Sequence, residues 1–222
     1  MTTHFADGLE SGDTTLWTLE TADNGGSLTV QGVTVRVGAY ALKSSSDGSS
    51  ASVHAYVEKS VPDLYEVFWR FYIRFSALPA VGERIGVASL FNNVNRGIVN
   101  LNVRNDAGTM KWTNYWYNGA WNAESAASGP AIGVWYCVEL RAKIAAVGGE
   151  VYVWVNEEEV QSATGIADLN VHGPCDRVSV GIDLMSVALA ADLYYDECRC
   201  GDQRVTCRLG DVDQQRTFGL TI

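Results

Sequence analysis

The sequence predicts an all-β fold: a two-sheet antiparallel sandwich or jelly roll with few or no helices. Apolar and polar residues alternate with a period of two along many short stretches, which is typical of strands with one face in a core. Turns rich in Gly, Asn and Asp separate these stretches, and helical periodicity is nearly absent. About a dozen strands without helices indicate two packed sheets.

The first half of the chain contains the longest predicted strand. A strand begins at Phe5, and short strands are predicted at 27–30, 39–44 and 51–58. Residues 64–76 then alternate without a break, which is long against a typical strand of ~5–6 residues. Its apolar stripe consists of Tyr65, Val67, Trp69, Phe71, Ile73 and Phe75. We therefore expect a central strand of a large curved sheet.

Residues 133–160 predict a β-hairpin around which the second half is arranged. Its aliphatic face consists of Val138, Leu140, Ala142, Ile144, Val151, Val153 and Val155. Other strands are predicted at 84–91, 96–104, 109–117, 177–185 and 191–200. Residues 201–222 no longer alternate cleanly. We therefore predict a jelly-roll domain over 1–200 and a C-terminal tail or arm over 201–222.

The 222-residue chain is acidic, with a formal net charge of −10. This balance argues against a nucleic-acid partner and against an anionic membrane surface. The N-terminus lacks the basic region and apolar run of a signal peptide, and no stretch is long enough to span a bilayer. We expect either a protein made without the secretory route or one whose leader has been removed. The five cysteines are an odd number, so reduced, partly buried thiols are predicted.

Three motifs stand out along the chain: FADGLESGD at 5–13 followed by Trp17, the hairpin WYCVELRAKI at 135–144 with GEVYVWVNEEEV at 149–160, and LYYDECRCG at 193–201. Together they resemble the concanavalin A-like lectin/glucanase superfamily, and laminin-G-like jelly rolls in particular. The resemblance implies one concave and one convex antiparallel sheet. In the family pattern, Asn-Gly follows the strand that contains the tryptophan, whereas this chain has Asn156-Glu157 there. The tail has no counterpart in the family pattern.

The resemblance implies several functions, because members include glycan-binding modules, glycoside hydrolases, polysaccharide lyases and parts of virion and cell-surface proteins. A retaining hydrolase needs two carboxylates ~5 Å apart, and the Glu-x-Asp-x-x-Glu strand that would supply them is missing. Two lyase signatures, Arg-x-Glu-Leu-Arg and Gln-x-His, are missing as well. The motifs therefore indicate the fold more than the function.

A glycan-binding surface is the first candidate site. Its predicted members point outward on their strands: His54, Tyr56, Arg70, Tyr72, Asn100, Asn102, Glu139 and Arg141. Aromatic rings stack on sugars, and Arg, Asn and Glu reach hydroxyl groups. The family's lyases use histidine and tyrosine as base and acid, beside arginine and asparagine that neutralise a uronate carboxylate. His54 would meet Tyr72 if strands 51–58 and 64–76 pair. The alternative is that Glu139–Arg141 and Glu66–Arg70 form structural ion pairs and that His54 merely lies on a sheet face.

The aromatic run at 111–121 offers a second candidate. Trp112 and Trp116 are expected to pack in the core with Met110, whereas Tyr115, Tyr117 and Trp121 can form a stacking platform.

A structural calcium site is the third candidate. Asp7 and Glu10 lie in the first turn, and Asp196 and Glu197 lie on the closing strand, which pairs with the first strand in this fold. Four carboxylates supply the hard oxygen ligands that Ca²⁺ prefers, with ordinary turn capping as the alternative. Cys198, Cys200 and Cys207 lack the spacing of a zinc site, so buried thiols or one disulfide are expected instead.

These patterns lead to the prediction of a non-catalytic structural or attachment protein, such as a virion surface, decoration or fibre component. It would lie on a virion or extracellular surface and would need no cofactor other than the possible calcium. The leaderless start, the odd number of cysteines and a tail at 203–222 that can dock on neighbouring subunits favour this function. The alternative is a carbohydrate-binding module on a surface glycan, and a polysaccharide lyase is third.

Overall fold

The computed structural model describes residues 2–92 and 97–207. These residues form fifteen strands and no helix. The strands are β1 (Thr3–Asp7), β2 (Leu19–Asp23), β3 (Gly26–Gln31), β4 (Ala41–Asp47), β5 (His54–Leu64), β6 (Glu66–Phe75), β7 (Arg84–Phe91), β8 (Gly97–Asp106), β9 (Thr109–Tyr117), β10 (Trp121–Ser125), β11 (Trp135–Lys143), β12 (Gly149–Val155), β13 (Glu158–Ile166), β14 (Cys175–Met185) and β15 (Ala190–Gly201). The structure has no helix long and apolar enough to cross a membrane within these residues.

The strands form two antiparallel sheets that pack as a sandwich, so the predicted fold class is confirmed. The eight-stranded sheet has the order β13-β12-β11-β6-β15-β4-β3, with β1 paired to β15. The seven-stranded sheet has the order β10-β9-β8-β7-β14-β5-β2. The consecutive strands β5 and β6 therefore belong to different sheets, although a single residue, Tyr65, separates them.

The core lies between the sheets and is built from the inward stripes that the alternation predicts. On β6, Trp69, Phe71, Ile73 and Phe75 are fully buried, and burial of each such side chain stabilises the fold by ~1.5–3 kcal/mol. Tyr65 is the exception, because it lies at the crossing between the sheets and is 58% exposed.

The predicted hairpin is formed by β11 and β12. Val138 faces Val155, Leu140 faces Val153, and Ala142 faces Val151. All six side chains belong to the core. The period-two pattern thus gives both the strands and their inward face correctly.

Residues 202–207, which we call the strap, return across the outer face of the eight-stranded sheet. A disulfide joins Cys207 of the strap to Cys137 on β11. The prediction of reduced thiols is wrong for this pair, because the returning chain brings together two cysteines 70 residues apart. Cys175, Cys198 and Cys200 are free and buried. The remainder of the predicted arm, residues 208–222, lies outside the described residues.

Candidate functional site

The structure divides the predicted glycan surface between opposite faces of the sandwich. Arg70, Tyr72, Glu139 and Arg141 project from β6 and β11 of the eight-stranded sheet. His54, Tyr56, Asn100 and Asn102 project from β5 and β8 of the seven-stranded sheet. The prediction of one shared surface is therefore wrong.

The separation follows from strand pairing. Strand β5 pairs with β14 and β2, whereas β6 pairs with β11 and β15. His54 and Tyr72 consequently point away from each other on two outer faces, and they cannot act on one substrate.

The strap covers the half of the set that lies on the eight-stranded sheet. The Arg204 guanidinium donates to both carboxylate oxygens of Glu139, at 3.0 and 3.1 Å, and lies 4.2 Å from the Trp154 ring centroid. Arg70 donates to the carbonyl oxygen of Thr206. Glu139 and Arg70 are 3% and 8% exposed, so this face is closed to a polymer at their position.

Three further contacts complete this closed face. The Tyr72 hydroxyl donates to the Cys207 carbonyl oxygen at 3.3 Å. Arg141 forms ion pairs with Glu66 at 2.7 Å and Glu150 at 2.9 Å. Arg141 therefore has the structural role that the sequence left as an alternative, although with different partners.

The two asparagines lie in the middle of the seven-stranded sheet, on its outer face. Strand β8 runs between β7 and β9, so Asn100 lies between Ser89 and Tyr115 in register. Asn102 lies between Gly86 and Thr113. Their inward neighbours Val99, Leu101 and Val103 pack in the core, which fixes the asparagines outward.

Several buried polar atoms on this outer face have no hydrogen-bond partner among the described residues. They are Asn100 Oδ1, Asn102 Oδ1, Ser179 Oγ and Glu58 Oε1. Ser179 lies beside Ser89 and Glu58 in register, and Ser89 lies beside Asn100, so Glu58, Ser179 and Asn100 fall on one row that crosses four strands. A buried polar atom without a partner costs ~1–3 kcal/mol, so these atoms lower the stability of the fold.

His54 is oriented by a carboxylate on the neighbouring strand. Its Nδ1 lies 2.9 Å from Asp23 Oδ1, and the two residues are a register pair of β5 and β2. A carboxylate partner favours the tautomer with the proton on Nδ1, which leaves Nε2 as the atom that can accept a proton. The ring of Tyr56 lies edge-on to the imidazole, with centroids 6.2 Å apart. Burial raises the pKa of Tyr56, so its phenol stays protonated near neutral pH.

Asp183 adds a second carboxylate on the same outer face. It lies in an irregularity where β14 pairs with β7, and the Ser89 hydroxyl donates to it. Burial raises the pKa of Asp183 to about 6, while the hydrogen bond from Ser89 partly opposes the shift. A Cβ on Gly86 would lie 1.8 Å from Asp183 Oδ1, so only glycine leaves room for this carboxylate.

Aromatic residues border the polar centre on the side of β9 and β10. Arg84 lies over the Tyr115 ring, 4.7 Å from its centroid. Tyr117 stacks on His172 and contacts Trp121. The predicted core role of Trp112 and Trp116 is confirmed, because the first is buried and the second packs against the core.

Sequence reasoning missed seven residues of this face: Asp23, Glu58, Arg84, Ser89, His172, Ser179 and Asp183. Asp23 falls in a tract of Asp, Asn and Gly that resembles a turn, although it ends β2. Asp183 and Ser89 stand at outward positions of predicted strands, and a polar residue at an outward position is the signal that could have identified them. Nothing local in the sequence distinguishes His172, which reaches the face from a loop.

The structure does not bring the four predicted calcium ligands together. Asp7 accepts hydrogen bonds from the Leu9 amide and the Trp17 indole, and Glu10 accepts from the amide of Ala39. Asp196 and Glu197 bind the loop that contains Arg36, through the Arg36 amide and the Arg36 guanidinium. Within residues 2–92 and 97–207, no group of three or more His, Cys, Asp or Glu side chains is placed to hold a metal ion. These carboxylates therefore hold turns and loops of the chain in place, as the alternative of ordinary turn capping expects.

Comparison with known proteins shows the same fold in several carbohydrate-related proteins. An endo-β-1,4-glucuronan lyase from the fungus Trichoderma reesei matches with a TM-score of 0.69 and 16% identity, over 91% of this chain and 96% of that one. The cellulose-induced protein Cip1 matches with a TM-score of 0.70 and 15% identity, over 92% and 100%. The alginate lyase Aly36B, solved with an alginate tetrasaccharide, matches with a TM-score of 0.57 and 16% identity, over 75% and 84%. No protein-family model and no curated protein matches the sequence.

The chain thus has the concanavalin A-like jelly roll that its motifs predict. These neighbours contradict the prediction of a non-catalytic structural or attachment protein, and with it the prediction that the chain is not an enzyme. Two of these three neighbours are described as polysaccharide lyases, and none of the three as a virion, decoration or fibre component.

Proposed function

We propose that this protein is a polysaccharide lyase that cleaves a uronate-containing polymer on the outer face of its seven-stranded sheet. One observation carries the proposal. A histidine oriented by a carboxylate, a tyrosine whose pKa is raised by burial and a partly buried asparagine lie on the same face. Lyases with the same sandwich support this reaction class by analogy only, since a fold hosts many functions.

The reaction is a β-elimination and needs three groups. One group neutralises the uronate carboxylate and thereby acidifies the proton on C5. A base then removes that proton, and its electron pair forms the C4–C5 double bond while the bond from C4 to the glycosidic oxygen breaks. An acid gives a proton to the departing oxygen, so the products are an unsaturated uronate and a new hydroxyl end.

His54 and Tyr56 fit the base and the acid. Nδ1 of His54 is engaged by Asp23, so Nε2 takes the C5 proton in the proposed reaction. Tyr56 stands two residues along the same strand, about 7 Å away, and its phenol supplies the proton for the leaving oxygen. Asp23 acts through His54 and is a positioning residue.

Asn100 fits the group that binds the uronate, because it is only partly buried and its side-chain nitrogen can donate to a carboxylate. Asn102 is 2% exposed and lies too deep to contact a polymer. Arg84 contributes positive charge beside Tyr115. Asp183, with its pKa of about 6, donates a hydrogen bond to the uronate carboxylate when it is protonated.

The predicted extracellular location remains a proposal, and the disulfide supports it because disulfides persist in oxidising compartments. The predicted docking of tail 203–222 on neighbouring subunits also remains a proposal. Residues 204, 206 and 207 already bind the chain's own sheet, and residues 208–222 lie outside the described part of the chain.

The test is product formation from a panel of uronate polymers that includes polyglucuronate and alginate. The unsaturated product absorbs ultraviolet light, and we expect its absorbance to grow with the wild type. His54→Ala and Tyr56→Phe should each abolish most of this growth. His4→Ala and Tyr152→Phe are matched controls on the other sheet and should leave it unchanged. Binding of a polymer without product would favour the alternative of a carbohydrate-binding module.

A further inference from the structure

An aromatic cluster lies at the edge of the seven-stranded sheet, beside the proposed site. The rings of Tyr117 and Trp121 are 5.4 Å apart and nearly perpendicular. Tyr117 also stacks in parallel on His172 at 4.4 Å. The Trp121 side chain is 51% exposed, which is unusual for the largest apolar residue. The cluster therefore presents an indole to solvent.

The β9–β10 hairpin fixes the position of this indole. Trp121 and Tyr117 are a register pair that closes a short turn. In the turn, the Asn122 amide donates to Asn118 Oδ1 at 2.7 Å and to the Ala120 carbonyl at 2.9 Å. A ring held in place before binding loses little conformational entropy when a ligand packs on it.

Trp121 is contiguous with the polar centre of the face. A Cβ built on Gly97 would lie 3.1 Å from Trp121 Cη2 and 2.9 Å from Asn100 Oδ1. The indole edge and the Asn100 amide therefore flank the same glycine. Tyr115 stands two residues from Tyr117 on the same side of β9, about 7 Å away. A polymer that contacts Asn100 thus reaches Trp121 with its next sugar units.

We propose that Trp121, supported by Tyr117, is a binding subsite for a pyranose ring of the polysaccharide chain, outside the ring whose bond is broken. The C–H groups of one pyranose face pack on the indole, while the hydroxyls at the ring edge face polar side chains of the sheet such as Asn100, which lies beside the same glycine. The identity of the ligand rests on the proposed function, whereas the binding itself does not require cleavage. The subsite holds the polymer in place and takes no part in proton transfer.

The test compares Trp121→Ala with wild type in the full chain, for binding to polyglucuronate, alginate and neutral polysaccharides by affinity electrophoresis. We expect binding about tenfold weaker, as for the loss of one aromatic stacking contact. Trp121→Phe should recover most of it, which distinguishes lost stacking from misfolding. Tyr65→Ala removes a similarly exposed aromatic ring elsewhere and should change nothing.

Each outcome decides the proposal. Weaker binding by Trp121→Ala with recovery by Trp121→Phe supports the subsite, even if the wild type cleaves nothing and the lyase proposal falls. Unchanged binding by Trp121→Ala overturns the subsite, even if the wild type cleaves a uronate polymer. A wild type that is retained by none of the polysaccharides also overturns it.

Discussion

Removal of the strap disulfide should lower stability strongly while leaving the proposed chemistry intact. The double variant Cys137→Ser, Cys207→Ser opens a cross-link with a sequence separation of 70 residues. In the chain-entropy account, closing a loop of this length restricts the unfolded chain by about 4 kcal/mol. The Arg204–Glu139 pair remains in the variant, but it no longer has a covalent anchor beside it.

The assay is thermal and urea unfolding of wild type and double variant. For a chain of this size, about 4 kcal/mol corresponds to a loss of ~8–16 °C in Tm. A reductant should lower the Tm of the wild type towards that of the double variant and should leave the double variant unchanged. Initial rates at 25 °C should be equal, because the strap and the proposed site lie on opposite faces.

Two results would refute this reasoning. A loss of stability below ~1 kcal/mol would mean that the disulfide does not restrict the unfolded chain as its loop length requires. An immediate loss of activity in the folded double variant would mean that the eight-stranded face takes part in the reaction.

Three further predictions concern the proposed site. His54→Ala should lower kcat/KM by about 10²–10⁴-fold, and Asp23→Asn should lower it less and shift the pH–rate profile, because the imidazole loses its orienting charge. Asp183→Asn should raise the free energy of unfolding by about 2 kcal/mol above pH 6 and hardly at all below pH 4, as urea titrations at both pH values would measure. Gly86→Ala should displace the Asp183 carboxylate and lower activity in a folded protein, whereas Gly8→Ala, which meets only an ordinary contact, should not.

The sign of the Asp183 effect follows from linkage. Burial raises its pKa from 3.8 in the unfolded chain to about 6 in the fold, so the folded state binds the proton more tightly. Folding stability is therefore lost as the pH rises from near 4 through 6, and an amide at this position avoids that loss. Equal effects of Asp183→Asn at both pH values would contradict the cause we assign.

The other two predictions fail in different ways. If Asp23→Asn behaves as wild type in both rate and pH profile, the carboxylate does not orient the base. If Gly86→Ala retains full activity, the position of Asp183 is irrelevant to the reaction.

The fold could be predicted because alternation reports which side of a strand faces the core. In the hairpin of β11 and β12, Val138, Leu140 and Ala142 mark the inward face of β11. Their register partners on β12 are valines that face the core in the same way. The same information places His54, Asn100 and Arg70 outward. It does not say on which sheet they lie, since outward residues of both sheets have the same pattern.

The site could be predicted only in part, because sheet membership depends on contacts distant in sequence. The step from β5 to β6 is one residue long and looks like a turn within one sheet, yet it crosses to the other. Asp23 meets His54 across 31 residues, and Cys207 meets Cys137 across 70. Local pattern identifies the residue types, but only the pairing of strands brings these side chains together.

The most direct test of the lyase proposal is the ultraviolet absorbance of unsaturated uronate during incubation of the purified protein with polyglucuronate and alginate. We predict growing absorbance with the wild type and with His4→Ala, and almost none with His54→Ala. A flat trace with the wild type on every uronate polymer, or equal traces with His54→Ala, would contradict catalysis on the outer face of the seven-stranded sheet.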